Sequence, residues 1–144
     1  MVSLLNVSAV SAQARTPFGN CTYWLDQSQP AGGKIFKIAF AHGFVLGVLG
    51  SLPQEPHSDP NWARLEQQLE KGLGAALQRP ALLADAFDQK CGDYRNRALT
   101  LNNIGLLVFL EVGGVSAGGV EKALEVLRAG GDTEAAMNAL IRSQ

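Results

Sequence analysis

Polar caps and glycine stops divide the second half of this chain into helices of set length, and no other feature constrains its fold as strongly. Thr100 stands before residues 101–112, Ser116 before residues 117–129, and Asp132 before the last patterned run, while Gly113-Gly114 and Gly130-Gly131 close the first two. A side-chain oxygen at each start can accept a first-turn N–H that has no partner inside the helix. A glycine at each end can take the left-handed conformation that stops a helix. The punctuation predicts three consecutive helices. Val120, Leu124 and Leu127 share one face of the second, and Ala136, Met137, Leu140 and Ile141 are expected to face inward from the third.

The same reading extends toward the N-terminus. Asp59-Pro60 reads as N-cap and first helical position of a helix through about residue 78. Trp62, Leu65, Leu69 and Leu73 fall on one side of it, with Arg64, Glu66, Gln67, Glu70 and Lys71 turned away. Pro80 opens the next helix, in which Leu82, Leu83, Ala86 and Phe87 lead into Cys91. Residues 34–49 are apolar on every side, which makes them the expected central buried helix. Within that helix Phe36, Phe40 and Phe44 form one stripe, and Ala39, Gly43, Gly47 and Gly50 form another with almost no bulk, where a neighbouring helix should approach closely. A short helix from Cys21 to about residue 26 precedes it, ended by Pro30 and Gly32-Gly33. No stretch alternates in the manner of a strand. The expected fold is all-α, a compact bundle of five to seven helices around one central apolar helix, with residues 15–144 as a single domain.

Residues 35–52 raise the alternative of a membrane span, being 18 long and containing Gly43-x-x-x-Gly47. Lys37 and His42 lie inside the stretch, and a charge at bilayer depth costs several kcal/mol unless it snorkels or finds a partner. The amphipathic helices elsewhere also need something to cover, so no span is expected. Twelve basic and 13 acidic residues leave a formal net charge of -1, which removes the electrostatic argument for nucleic acid or anionic lipid as a partner.

The two cysteines bear on compartment. Residues 1–14 carry no charge, are apolar around residues 2–10, and end in Ala12-Gln13-Ala14, the A-x-A form that signal peptidases accept. A basic leading region is missing, so they read as a signal-peptide remnant or as a disordered tail. Export would place the chain in the periplasm or outside the cell, where Cys21 and Cys91 can join in one disulfide. Closing a loop of that length restricts the unfolded chain by about 4 kcal/mol on the loop-entropy model. The alternative is two unpaired buried thiols, since cysteine also serves as a small hydrophobe. Neither cysteine has a partner at CxxC spacing, and the only histidines are His42 and His57, so neither metal nor cofactor is expected.

Catalytic machinery is hard to assemble. His42, within the helix expected to be buried, reads as a hydrogen-bonded core residue, and His57, between Pro56 and Ser58, reads as part of an exposed turn. Neither stands in a GxSxG or HExxH context, and the glycine pairs follow no strand, so they form no phosphate loop. The chain is expected not to be an enzyme; the remaining catalytic route needs His42 or Glu111 beside a hydroxyl. The most function-like stretch is residues 90–97, which concentrates Asp93, Tyr94, Arg95, Asn96 and Arg97 on a loop that the bridge would pin. Rigidly held loops often carry recognition, and Tyr and Arg are favoured interface anchors. Against this, Asp93 and Asn96 are ordinary turn residues, and the arginines could cap the preceding helix. Tyr23 and Trp24 would come close to the loop, with core packing their expected fate.

In layout, with Cys21 opening the first helix, residues 40–43 carrying an aromatic and a glycine in an apolar helix, and Cys91 closing a later helix, the chain resembles two groups of small exported helical proteins over about residues 18–91. One is the periplasmic immunity proteins that neutralise peptidoglycan amidase effectors of type VI secretion systems. The other is the acid-stress periplasmic chaperones. The first resemblance implies a small exported binding protein that occludes a secreted effector protein stoichiometrically, alone or as a homodimer. The alternative is an envelope chaperone or structural protein. The helices over residues 101–141 go beyond the compact acid-stress chaperones, and the balanced charge does not suit unfolding by mass protonation. The immunity family's inhibitory loop does not align here, so no functional residue is carried over from it.

Overall fold

The structure is a computed structural model and describes residues 19–26, 33–52 and 54–144. The export-like residues 1–14 and the turn expected at Pro30 and Gly32 lie outside them. Among the described residues the chain forms seven α-helices: α1 (Cys21–Asp26), α2 (Gly33–Ser51), α3 (Pro60–Gln78), α4 (Pro80–Gly92), α5 (Leu101–Val112), α6 (Ala117–Arg128) and α7 (Thr133–Arg142). A 3-10 turn, Tyr94–Asn96, joins α4 to the segment before α5. One isolated antiparallel bridge, Asn20 to Thr100, is the sole β-type pairing among the described residues.

The local signals produce the elements they announce. Asp59 Oδ1 accepts the Asn61 N–H at 2.8 Å, Thr100 Oγ1 that of Asn103 at 3.2 Å, Ser116 Oγ that of Gly119 at 3.1 Å, and Asp132 Oδ1 that of Ala135 at 2.8 Å. Each such cap is worth about 1 kcal/mol. After α5 and α6 the backbone turns through Gly114 at φ 110° and Gly130 at φ 89°, conformations that a side chain would strain.

The centre of the bundle is α5, not the helix over residues 34–49. Leu101, Ile104, Gly105, Leu107, Val108, Phe109 and Leu110 are all buried, and α5 packs against α3, α4 and α6. On α2 only Gly33, Lys37, Ala41 and Val45 are buried. Both helices are apolar all round, so periodicity cannot rank them; side-chain area does. Burial stabilises by about 25 cal/mol per Å² of apolar surface, and the Ala39, Gly43, Gly47 and Gly50 side of α2 offers little of it. That side faces outward, and a Cβ added to Gly43, Gly47 or Gly50 would meet nothing within 4 Å. Ile35 and Leu46 of α2 are 74% and 51% exposed. By length and composition, α2 is long and apolar enough to cross a bilayer.

Close helix approach occurs instead between α3 and α5. A Cβ on Gly72 would stand 1.8 Å from the Phe109 carbonyl oxygen, and one on Gly113 would stand 1.8 Å from that of Gln68. Of the phenylalanine stripe of α2, Phe36 stays exposed while the other two turn inward: Phe40 lies 6.5 Å from Phe87, and Phe44 lies 6.0 Å from Phe87 and 5.7 Å from Phe109, centroid to centroid. Trp24, fully buried, packs 4.9 Å from Phe87 and brings α1 into the same cluster. Of the residues that lead into Cys91, Leu83 and Phe87 are buried and Leu82 is 54% exposed.

Candidate functional site

Cys21 and Cys91 are joined, with their Cα atoms 4.9 Å apart across a sequence separation of 70. The bond ties the first turn of α1 to the last turn of α4. Main-chain hydrogen bonds extend the seam: Leu101 N–H to Gly19 O at 2.6 Å, Cys21 N–H to Leu99 O at 3.1 Å, and Thr22 N–H to Arg97 O at 3.2 Å. The segment from residue 93 to residue 97 therefore lies on a base fixed at both ends.

Asp93 starts the 3-10 turn by accepting the Arg95 N–H at 3.0 Å, and its carboxylate also takes Arg95 Nε at 3.1 Å and Nη2 at 2.7 Å. This guanidinium, bonded side chain to side chain, holds the Asp93 carboxyl below the usual carboxylate value of 3.8, at about 2; the Arg95 N–H acts in the same direction. The reciprocal effect raises Arg95. Asn96 is 1% exposed, donates Nδ2–H to the Lys90 carbonyl at 2.8 Å, and accepts from Arg128 Nε at 2.8 Å. Arg128 and Glu121, both on α6 and paired with each other at 2.6 Å, also reach Asp93 and Arg95 respectively, each at 3.7 Å, so the turn is bound to α6 as well.

The expected recognition loop is thus divided by role. Asp93, Arg95 and Asn96 spend their polar groups on the turn itself and on α4 and α6. It is Asn96, not an arginine, that caps the carbonyl end of α4. Tyr94 is 77% exposed, and Arg97, also exposed, makes no ion pair among the described residues. Left outside these bonds are one aromatic and one guanidinium, on a turn fixed to the body of the protein.

The other sequence-level candidates fall elsewhere. His42 is exposed on α2 and is not the hydrogen-bonded core residue expected, because the face that carries it is the one left outside. Glu111 is paired with Lys90 at 2.8 Å. Trp24 packs in the core as expected, and Tyr23 sits edge-on to Phe36 at 6.3 Å. His57 lies in an exposed turn but is fixed there, stacked on Trp62 at 5.8 Å. One cluster that sequence reading missed joins three elements. Asp88 Oδ1 accepts from Lys37 Nζ at 2.5 Å and from Trp24 Nε1 at 2.7 Å, and the ammonium also lies 5.1 Å from the Trp24 ring. A lysine well inside an apolar helix was its available signal, since a buried charge requires a counter-charge. Comparison with family models, with curated proteins and with solved structures finds no match for this chain.

Proposed function

We propose that this chain is a stoichiometric protein-binding module of an oxidising compartment outside the cytoplasm, an immunity-type inhibitor that occludes a secreted effector through Tyr94 and Arg97. The observation that carries this reading is the exposure of Tyr94 at 77% on a turn whose Asp93 and Arg95 are bonded to each other and whose Asn96 is bonded to α4 and α6. Binding costs include the ordering of mobile side chains and loops. A ledge held by a disulfide, a seam of main-chain hydrogen bonds and two ion pairs has little order left to acquire. Tyr and Arg are also the residue types that most often dominate interface energetics. The reading assigns the protein no catalytic role.

The test is affinity capture from an envelope extract of the native source, with the intact chain and with the Tyr94→Ala/Arg97→Ala double variant as baits. The expected result is a protein partner recovered in stoichiometric amount by the intact chain, lost with the double variant, and inhibited in its own activity by the complex. Recovery of no partner, or equal recovery by both baits, overturns the proposal. A second reading, an envelope chaperone, is favoured by the exposed Ile35 and Leu46 on α2. It predicts protection of many unrelated denatured clients and no dependence on Tyr94.

A further inference from the structure

Between α3, α5 and α7 the surface opens into a groove of about 690 Å³, within the range of about 300–1,000 Å³ typical of small-molecule sites. Its floor is apolar, made by Leu65, Leu69, Leu106, Leu110 and Met137. Its rim carries Asp59, Glu66 and Glu134. None of these three carboxylates forms an ion pair among the described residues, and no Lys or Arg lines the groove. The whole chain has a net charge of only -1, so this is a local concentration of negative charge and not a reflection of overall composition.

Two of the three acids have a structural role. Asp59 caps α3 and Glu134 lies in the first turn of α7, where each complements a helix N-terminus. A helix N-terminus contributes roughly half a positive charge, so two of them offset about one of the three carboxylates and leave the groove mouth clearly negative. The aromatic side of the mouth is held in place. His57 Nδ1 accepts the Asp59 N–H at 3.0 Å, the His57 N–H reaches Glu66 Oε2 at 3.1 Å, and the imidazole stacks on Trp62. The indole therefore stands fixed beside the carboxylates, an arrangement that attracts cations to the ring face as well as to the oxygens.

We infer that this groove binds a small molecule with an apolar body and an ammonium group, the body on the leucine and methionine floor and the cation between Trp62 and the Glu66 and Glu134 carboxylates. The charge pattern selects against an anion of the same shape. The site shares no residue with the Tyr94 ledge, and its occupancy is independent of the function proposed above.

The test uses the full-length oxidised protein with three isosteric probes, phenylpropylamine, phenylpropanol and phenylpropanoate, followed by the emission of Trp62. Trp24, fully buried, supplies a constant background. The amine is expected to bind about tenfold or more tighter than the alcohol, a difference of about 1.4 kcal/mol, and the carboxylate not at all. Glu134→Arg, at an exposed position of α7 whose N-cap Asp132 stays in place, should abolish the amine's advantage and admit the carboxylate. Equal binding of amine and alcohol, absence of binding by all three at millimolar concentration, or amine affinity unchanged by Glu134→Arg overturns the inference.

Discussion

Gly72→Ala adds one carbon where α3 crosses the central helix, and its effect follows from a single distance. The new Cβ would stand 1.8 Å from the Phe109 carbonyl oxygen and 2.7 Å from its carbonyl carbon. Both are backbone atoms, so no rotamer change relieves the contact, and the two helices must part by more than an ångström. Overpacking of this kind costs about 1–3 kcal/mol, and a rigid backbone obstacle belongs at the upper end. Replacing a helical glycine by alanine returns about 1 kcal/mol, which leaves a net loss of about 2 kcal/mol. Gly74, in the same helix but exposed and with nothing within 4 Å of its hypothetical Cβ, supplies the control; there the alanine should stabilise by about 0.5–1 kcal/mol. Urea unfolding of both variants with the disulfide intact reads the difference as opposite shifts of the midpoint at constant slope. If Gly72→Ala is as stable as Gly74→Ala, the close α3–α5 crossing is wrong, and with it the placement of α5 at the centre.

Three further outcomes are expected. Asp88→Ala leaves Lys37, a residue 6% exposed, without its counter-charge and the buried Trp24 N–H without its acceptor and should cost about 2–3 kcal/mol in urea unfolding; this is below the usual 3–5 kcal/mol for a broken buried pair because the Asp88 side chain is 47% exposed. Lys37→Met at the same place should be nearly neutral, and equal losses from the two variants would contradict the pairing. Asn96→Ala strands the Lys90 carbonyl and Arg128 Nε and should cost about 2 kcal/mol by the same assay; a neutral result would remove the tie between the turn and α4. Asp93 titrates in the folded protein at about 2, below its ordinary 3.8, so its ion pairing supports the ledge above about pH 4 and is lost as pH falls through 2. A carboxyl NMR titration should find that low midpoint and see it return toward the ordinary value in Arg95→Gln; an ordinary midpoint in the intact protein would show the pair to be absent.

The features legible in the sequence are those decided within a few residues. Asp59, Thr100, Ser116 and Asp132 each act on an N–H two or three positions away, so their roles can be read without knowing the fold. The disulfide was legible as one of two alternatives. Burial rank was not legible, because α2 and α5 are both apolar on all sides and the decision depends on how much side-chain area each offers to neighbours remote in sequence. The glycine pattern misled for the same reason. Gly43 and Gly47 show the familiar four-residue spacing but face outward, whereas the glycines that admit close approach, Gly72 and Gly113, belong to no repeated pattern and face carbonyls 37 and 45 positions away, respectively. At the ledge, composition singled out residues 93–97 together, but only the fold assigns Asp93, Arg95 and Asn96 to internal bonds and leaves Tyr94 and Arg97 outward. The carboxylate groove joins residues from three helices and had no contiguous signal at all.

The braced ledge depends on the covalent link between α1 and α4, and the intact mass of protein recovered from its native compartment tests that link directly. Alkylated without reductant, the chain should carry no adduct and be lighter than its reduced form by the mass of two hydrogens. Two alkyl groups on unreduced material would contradict the account.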